Sequence, residues 1–131
     1  MEKLITGIHH VNLKACGEEK LLEAVSFYTD ILGMKVLRDW GEGNRHCVQI
    51  DTGNGLLEIN ADGGDDLSTG MLNHYALSTN HVDEIVHLAK EAGYDVDLEP
   101  KDVLLAGEFP IRIAFVVGPL HERIELFEEK F

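Results

Sequence analysis

Four residues of this chain, His10, Glu58, His74 and Glu125, have the types and spacing to do metal chemistry. His10 sits at the head of GIHHVNLKACGEEKLLEAVSFYTDILGMKVLRDW, Gly7 to Trp40, and a degenerate second copy of that pattern starts at Asn73 as NHYALSTNHVDEIVHLAKEAGYDVDL. Each copy begins with a His in a short alternating run, passes through a helix-period segment, halts at Gly33 or Gly93, and resumes with β-forming residues. Glu58 in GLLEIN and Glu125 in RIELF each follow their His by roughly fifty residues, long enough for one supersecondary unit per repeat. Two imidazoles and two carboxylates therefore occupy equivalent places in two half-chains.

At strand period, Val11 and Leu13 lie opposite His10, Leu57 and Ile59 flank Glu58, Tyr75 and Leu77 lie opposite His74, and Ile124 and Leu126 flank Glu125. One face of the sheet is expected to pack on helices while the other collects the four polar groups. Carboxylates on a sheet interior are costly unless they are paired or hold a cation, and a shared divalent ion answers that cost. Two imidazole nitrogens and two carboxylate oxygens suit a borderline transition metal such as nickel, cobalt, manganese, iron or zinc better than calcium or magnesium. Two positions of an octahedron stay open for a ligand. A single His on a strand is more often an ordinary core or surface residue; the matched placement in the repeat sets these four apart. His46, His81, His87 and His121 read as structural or solvated, and His9, taken to lie on the apolar face, is the only rival to His10.

The elements that must position these groups follow from periodicity. Ile8 to Ala15 alternates as a half-buried strand, and from Glu18 the residues Leu21, Leu22, Val25, Tyr28, Ile31 and Leu32 recur at threes and fours as one buried helical stripe ended by Gly33. MKVLRDW, HCVQIDT and LLEINA read as three meandering strands, parted by turns at Gly41 to Asn44 and Gly53 to Gly55. Ala61 to Gly70 is small, acidic and linker-like, without the ligand spacing or closing Glu of a calcium loop. His74 to Ser78 reads as a strand and Val82 to Ala92 as a helix with Val82, Ile85, Val86 and Ala89 on one stripe, Asp83 and Glu84 suiting its N-terminal dipole. A short strand near Asp95 to Leu98 is then followed by a long loop over EPKDVLLAGEFP, Glu99 to Pro110, of the kind that often covers a site, before the strands IRIAFVV and ERIELF. The fold class is α+β.

At 131 residues the chain forms one domain whose two repeats share a core or pair with another chain. A net charge of −13 argues against nucleic acid and anionic membrane as partners, since both require Lys and Arg that this surface lacks. Cys16 and Cys47 have no CxxC spacing and read as reduced thiols. MEKLITGIHHV lacks the apolar run of a signal peptide and no segment approaches a membrane span, so a cytoplasmic protein is expected.

HHVNL, SFYTDILGMKVL, LLEIN, NHYALS and IAFV followed by RIELFEEK resemble, over nearly the whole chain, glyoxalase I of the vicinal oxygen chelate superfamily. The resemblance implies two βαβββ modules (about 5–61 and 72–131, linked through 61–71) whose eight strands form an open, barrel-like sheet around a metal cup. It implies His10, Glu58, His74 and Glu125 as the ligands in that order. FYTDILGM identifies the superfamily only, whereas the complete His, Glu, His, Glu set is more specific. Fosfomycin-type thiol transferases use three protein ligands and antibiotic-sequestering relatives usually none. Lys14 stands where the glutathione enzymes carry Arg, and Asp62 where they carry Asn, so a thiol other than glutathione is expected, Lys being no equivalent of Arg at a bidentate site. Asn12, Lys14, Asn60 and Asp62 are the candidate substrate-binding residues. Gly118 to Glu122, GPLHE, replaces the familiar DPDG turn.

The function so implied is that of a homodimeric lyase or isomerase converting the hemithioacetal of methylglyoxal and a thiol to a 2-hydroxyacyl thioester. Glu125 would move the proton between the two adjacent carbons, with Glu58 as the opposite carboxylate. An epimerase or thiol transferase on the same metal cup is the alternative, and a non-catalytic module sequestering a small molecule such as an antibiotic is the alternative from another class.

Overall fold

The computed structural model describes residues 4, 8–65 and 73–130. The chain divides into two compact units, Met1–Asp65 and Asp66–Phe131, and each is a βαβββ module with its own four-stranded sheet. Hydrogen bonding produces these two sheets and, among the described residues, no single eight-stranded one.

The first module runs β1 (His10–Lys14), α1 (Glu18–Ser26), β2 (Lys35–Trp40), β3 (Cys47–Asp51) and β4 (Leu56–Asn60). Its sheet order is β1-β4-β3-β2, with β1 parallel to β4 and the other pairs antiparallel, so the three expected meandering strands form. In β1 the side chains alternate as the sequence predicts: Leu13 is buried and His10, Asn12 and Lys14 are exposed. Glu18 and Glu19 in the first turn of α1 suit its positive end. The helix buries Leu21 and Ala24, then widens into a π-helical turn over Phe27–Ile31 that buries Phe27 and Tyr28. Leu22, expected in the buried stripe, is 50% exposed; the series Leu21, Ala24, Tyr28 fixes the inner face, and Leu22 lies one residue round from it. Gly33 closes the segment at φ 74°, where Met34 N–H donates to Tyr28 O.

The second module runs β5 (Tyr75–Ser78), α2 (Val82–Glu91), β6 (Val96–Leu105), β7 (Phe109–Val117) and β8 (Arg123–Glu129), with sheet order β5-β8-β7-β6 and β5 parallel to β8. Helix α2 buries Val82, Val86 and Ala89 and stops at Gly93, φ 89°. One expectation fails here. Glu99 to Pro110 is no loop: β6 is a ten-residue strand that pairs with β7 from Val96↔Val116 to Leu105↔Phe109. Pro100 is tolerated because β6 is an edge strand and the register slips between Leu98 and Lys101, so the missing N–H breaks no ladder bond. That slip also destroys the period-two pattern, which is why the segment reads as irregular in sequence. The short turn at Ala106–Glu108 closes the hairpin, with Ala106 and Gly107 both at positive φ.

Of the expected linker, Ala61–Asp65 packs back on the first module, through a Cys16↔Asp62 bridge and Gly63 N–H to Ala15 O, and 66–70 lies outside the described residues. Among the described residues no helix is long and apolar enough to cross a membrane.

Candidate metal centre

In the first module the register places Arg38 (β2), Gln49 (β3), Glu58 (β4) and Asn12 (β1) in one row across all four strands. Their side chains bond along that row. Arg38 Nε donates to Gln49 Oε1 (2.8 Å), Gln49 Nε2 to Glu58 Oε2 (2.7 Å), and Asn12 Nδ2 to Glu58 Oε1 (3.1 Å) and to Asn60 Oδ1. His10, two residues before Asn12, turns Nε2 to within 3.7 Å of Glu58 Oε1. Glu58 is thus 18% exposed, with each oxygen held by one amide and lone pairs to spare.

The second module repeats the geometry with different neighbours. Glu125 (β8) pairs with Ala76 (β5) and Phe115 (β7), and Phe115 pairs with Leu98 (β6). His74, two residues before Ala76, brings Nε2 to 3.3 Å from Glu125 Oε1. The Glu125 side chain is 13% exposed and pairs with His74. Phe115 meets the His74 ring edge-on at 5.2 Å, and the Arg123 guanidinium stacks 3.9 Å over Phe115.

The four expected ligands therefore stand as two His–Glu pairs, one per module, each His two residues before the strand partner of its Glu. The donor chemistry fits a borderline divalent ion. Bonds of about 2.0–2.1 Å at right angles separate nitrogen and oxygen by about 2.9 Å; the second pair, at 3.3 Å, is nearer to that spacing than the first, at 3.7 Å. Among the described residues no group of three or more His, Cys, Asp or Glu side chains forms a metal-sized cluster.

Around the first pair, Lys14 Nζ lies 2.8 Å from Asp62 Oδ1. That hydrogen bond, and with it the lysine charge, holds the Asp62 carboxyl below the usual range. The two residues expected to touch substrate thus neutralise one another. His9, expected on the apolar face, is exposed and contacts His10 instead, because it precedes β1 and is free of the strand's alternation. His46 bonds Glu18 through Nδ1 at 3.0 Å, while His81 and His87 pair with Glu84 and Glu91 on α2, in line with structural or solvated roles. Both thiols are free. A hydrogen bond to Asp65 pushes Cys16 up, and burial followed by the Glu58 charge pushes Cys47 up, so neither is an activated thiolate. Gln49, Arg38, Asn73 and Phe115 were not singled out from sequence. Gln49 left one trace, a polar residue between Val48 and Ile50 in a strand buried from Cys47 through Ile50.

A sequence profile described as "Glyoxalase/Bleomycin resistance protein/Dioxygenase superfamily" matches residues 7–109. The chain belongs to this superfamily. Among solved structures, this superfamily member is similar to the trypanothione-dependent glyoxalase I of Leishmania major, at 26% identity and TM-score 0.70 over 92% of this chain and 84% of that one. A glyoxalase family protein from Enterococcus faecalis matches at 23% identity and TM-score 0.72, over 96% of this chain and all of that one. A glyoxalase/bleomycin resistance protein/dioxygenase from Alicyclobacillus acidocaldarius matches at 18% identity and TM-score 0.69, over 96% and 93%. The last two likenesses are likenesses of fold. Among curated proteins no sequence matches the chain.

Proposed function

We propose that this superfamily member is a metal-dependent lyase or isomerase of the glyoxalase I kind, acting on the hemithioacetal of methylglyoxal and a small thiol in a homodimer. The observation that carries the proposal is the pair of His–Glu contacts at matched positions of the two modules, His10 with Glu58 and His74 with Glu125. These four residues would hold one nickel or cobalt ion. When bound, such an ion supplies Lewis-acid stabilisation of the charge that develops on two vicinal substrate oxygens.

The chain's own residues do the rest. Glu58, gripped by Asn12 and Gln49, is a fixed carboxylate. Glu125, which pairs with His74, would swing to take the proton from the carbon beside the thiol and return it to the neighbouring carbon. Lys14 and Asp62, paired to each other, leave no free guanidinium or amide at those positions to hold glutathione as a bidentate partner. The Leishmania major relative, whose glyoxalase I is trypanothione-dependent, supports a thiol other than glutathione.

The test combines metal analysis of freshly purified protein with an isomerase assay using methylglyoxal and several thiols, glutathione among them. The expected result is one transition-metal ion per site, turnover with nickel or cobalt, and glutathione as a poor carrier. The double change Lys14→Arg with Asp62→Asn should move preference toward glutathione. Unaltered metal stoichiometry and affinity in His74→Ala sinks the ligand assignment. If the metal-loaded chain converts no hemithioacetal with any thiol, the isomerase reading gives way to an epimerase or transferase on the same groups.

A further inference from the structure

We propose that the residue immediately before each candidate ligand histidine, His9 in the first module and Asn73 in the second, fixes which ring nitrogen of that histidine carries a proton. The two positions are equivalent in the repeat and make equivalent contacts. His9 Nδ1 lies 2.9 Å from His10 Nδ1, and Asn73 Oδ1 lies 2.6 Å from His74 Nδ1. In both histidines Nε2 is the nitrogen turned to the carboxylate.

In the second module a neighbouring arginine decides the direction of the bond. Arg123 Nη1 lies 3.4 Å from the same Asn73 atom that faces His74. A guanidinium has donors and no acceptor, so that atom must be the amide oxygen, and His74 Nδ1 must then be the donor. Arg123 is itself held in place, by Nε to Asp97 Oδ2 at 2.6 Å and by stacking over Phe115. Asp97, Arg123 and Asn73 thus form a chain ending on the His74 proton. In the first module two imidazoles share one contact, so one donates and the other accepts. A lone pair on His10 Nε2 requires His10 Nδ1–H to donate and His9 to accept, and the rings stand nearly perpendicular, at 84°, as such an edge-on bond allows. His9 is therefore the partner of a ligand rather than its rival. Both are positioning residues, since they act through the histidine.

The metal-affinity arm of the test and the direction of the His9–His10 bond rest on the proposed function; the His74 arm stands on the Arg123 contact alone. In the full chain without metal, nitrogen-resolved NMR of the imidazoles should find an exchange-protected Nδ1–H on His10 and on His74. Asn73→Ala should abolish the His74 signal and spare that of His10, and Asn73→Asp, which keeps an acceptor oxygen, should restore it. His9→Ala should do the same to His10, with rescue by His9→Asn, which copies the second module's device into the first. Nickel affinity, read by chelator competition, should fall about tenfold to a hundredfold in each Ala variant and recover in the conservative ones. Absence of a protected Nδ1–H in the wild type, or a His74 signal indifferent to Asn73→Ala, overturns the proposal. Signals that respond as stated in a chain that binds no nickel support it while overturning the metal reading.

Discussion

Glu58 and Glu125 sit at the same place in two copies of one module, yet their surroundings are opposites. Glu58 lies in a polar row, Arg38, Gln49, Glu58, Asn12, in which every member bonds the next. Glu125 lies in the row Leu98, Phe115, Glu125, Ala76, where it is the one polar side chain. The two modules share the carboxylate and its histidine and differ in the cross-strand neighbours of the carboxylate. On the proposed function the difference would separate two tasks: the clamped carboxylate would hold geometry, and the loose one would have the rotational freedom that proton transfer needs. A repeat of this kind doubles a scaffold without obliging the two copies to do equal work.

The comparison breaks most visibly at Glu125. Glu125→Gln keeps a coordinating oxygen but cannot accept a proton, so turnover of the hemithioacetal should fall about a hundredfold to ten-thousandfold while bound metal largely stays. Glu58→Gln should behave differently. A Gln amide there keeps one acceptor oxygen but sets its NH2 against the donor of either Asn12 or Gln49, so metal affinity should suffer along with turnover. Measured kcat and metal content on the two variants side by side decide the matter: equal losses of both in both would erase the division of labour.

Gln49 is the next place to press. It is 6% exposed, accepts the Arg38 Nε–H hydrogen bond on its oxygen and directs its NH2 at Glu58. Gln49→Met preserves volume and removes the donor, making the first module resemble the second. Chelator competition should register about a tenfold to hundredfold loss of metal affinity, the usual scale for removing a ligand's outer partner. Arg38→Met, one step further out, should cost less. An affinity unchanged in Gln49→Met would mean that Asn12 alone suffices to hold Glu58.

What the sequence made legible was what the repeat carries twice. His10, Glu58, His74 and Glu125 stand out because each has a counterpart, and α1, α2 and the meandering strands stand out because each alternates or recurs on its own. What is carried once was hidden. Gln49, Arg38, Leu98 and Phe115 reach their Glu only through cross-strand register, and register depends on bulges such as the slips at Val36/Arg38 and Leu98/Lys101 that leave no mark on a single strand. Strand β6 was hidden for the same reason, with Pro100 as an added decoy at an edge where a proline costs no hydrogen bond. His9 misled because alternation was carried one residue beyond the strand that enforces it.

The modules also differ, more faintly, in their exposed ion pairs. In the first, Asp62 is held by Lys14 through one contact; in the second, Asp83 is held by Arg112 through two, Nε to Oδ2 and Nη2 to Oδ1, both at 2.8 Å. Each hydrogen bond, with the charge behind it, lowers its carboxyl below the ordinary value of 3.8. A lowered carboxyl contributes stability that is complete above its unfolded value and is lost as pH falls through the folded one. Asp62→Asn and Asp83→Asn should therefore lower the urea midpoint near neutrality and converge on the wild type in acid below the ordinary range. Both pairs are open to solvent, so the effects should be small and should shrink further with added salt. Asp83→Asn should have the larger effect, because a planar fork on both carboxylate oxygens holds better than a single ammonium. A gap between either variant and wild type that persists undiminished in acid would assign the loss to packing rather than to charge.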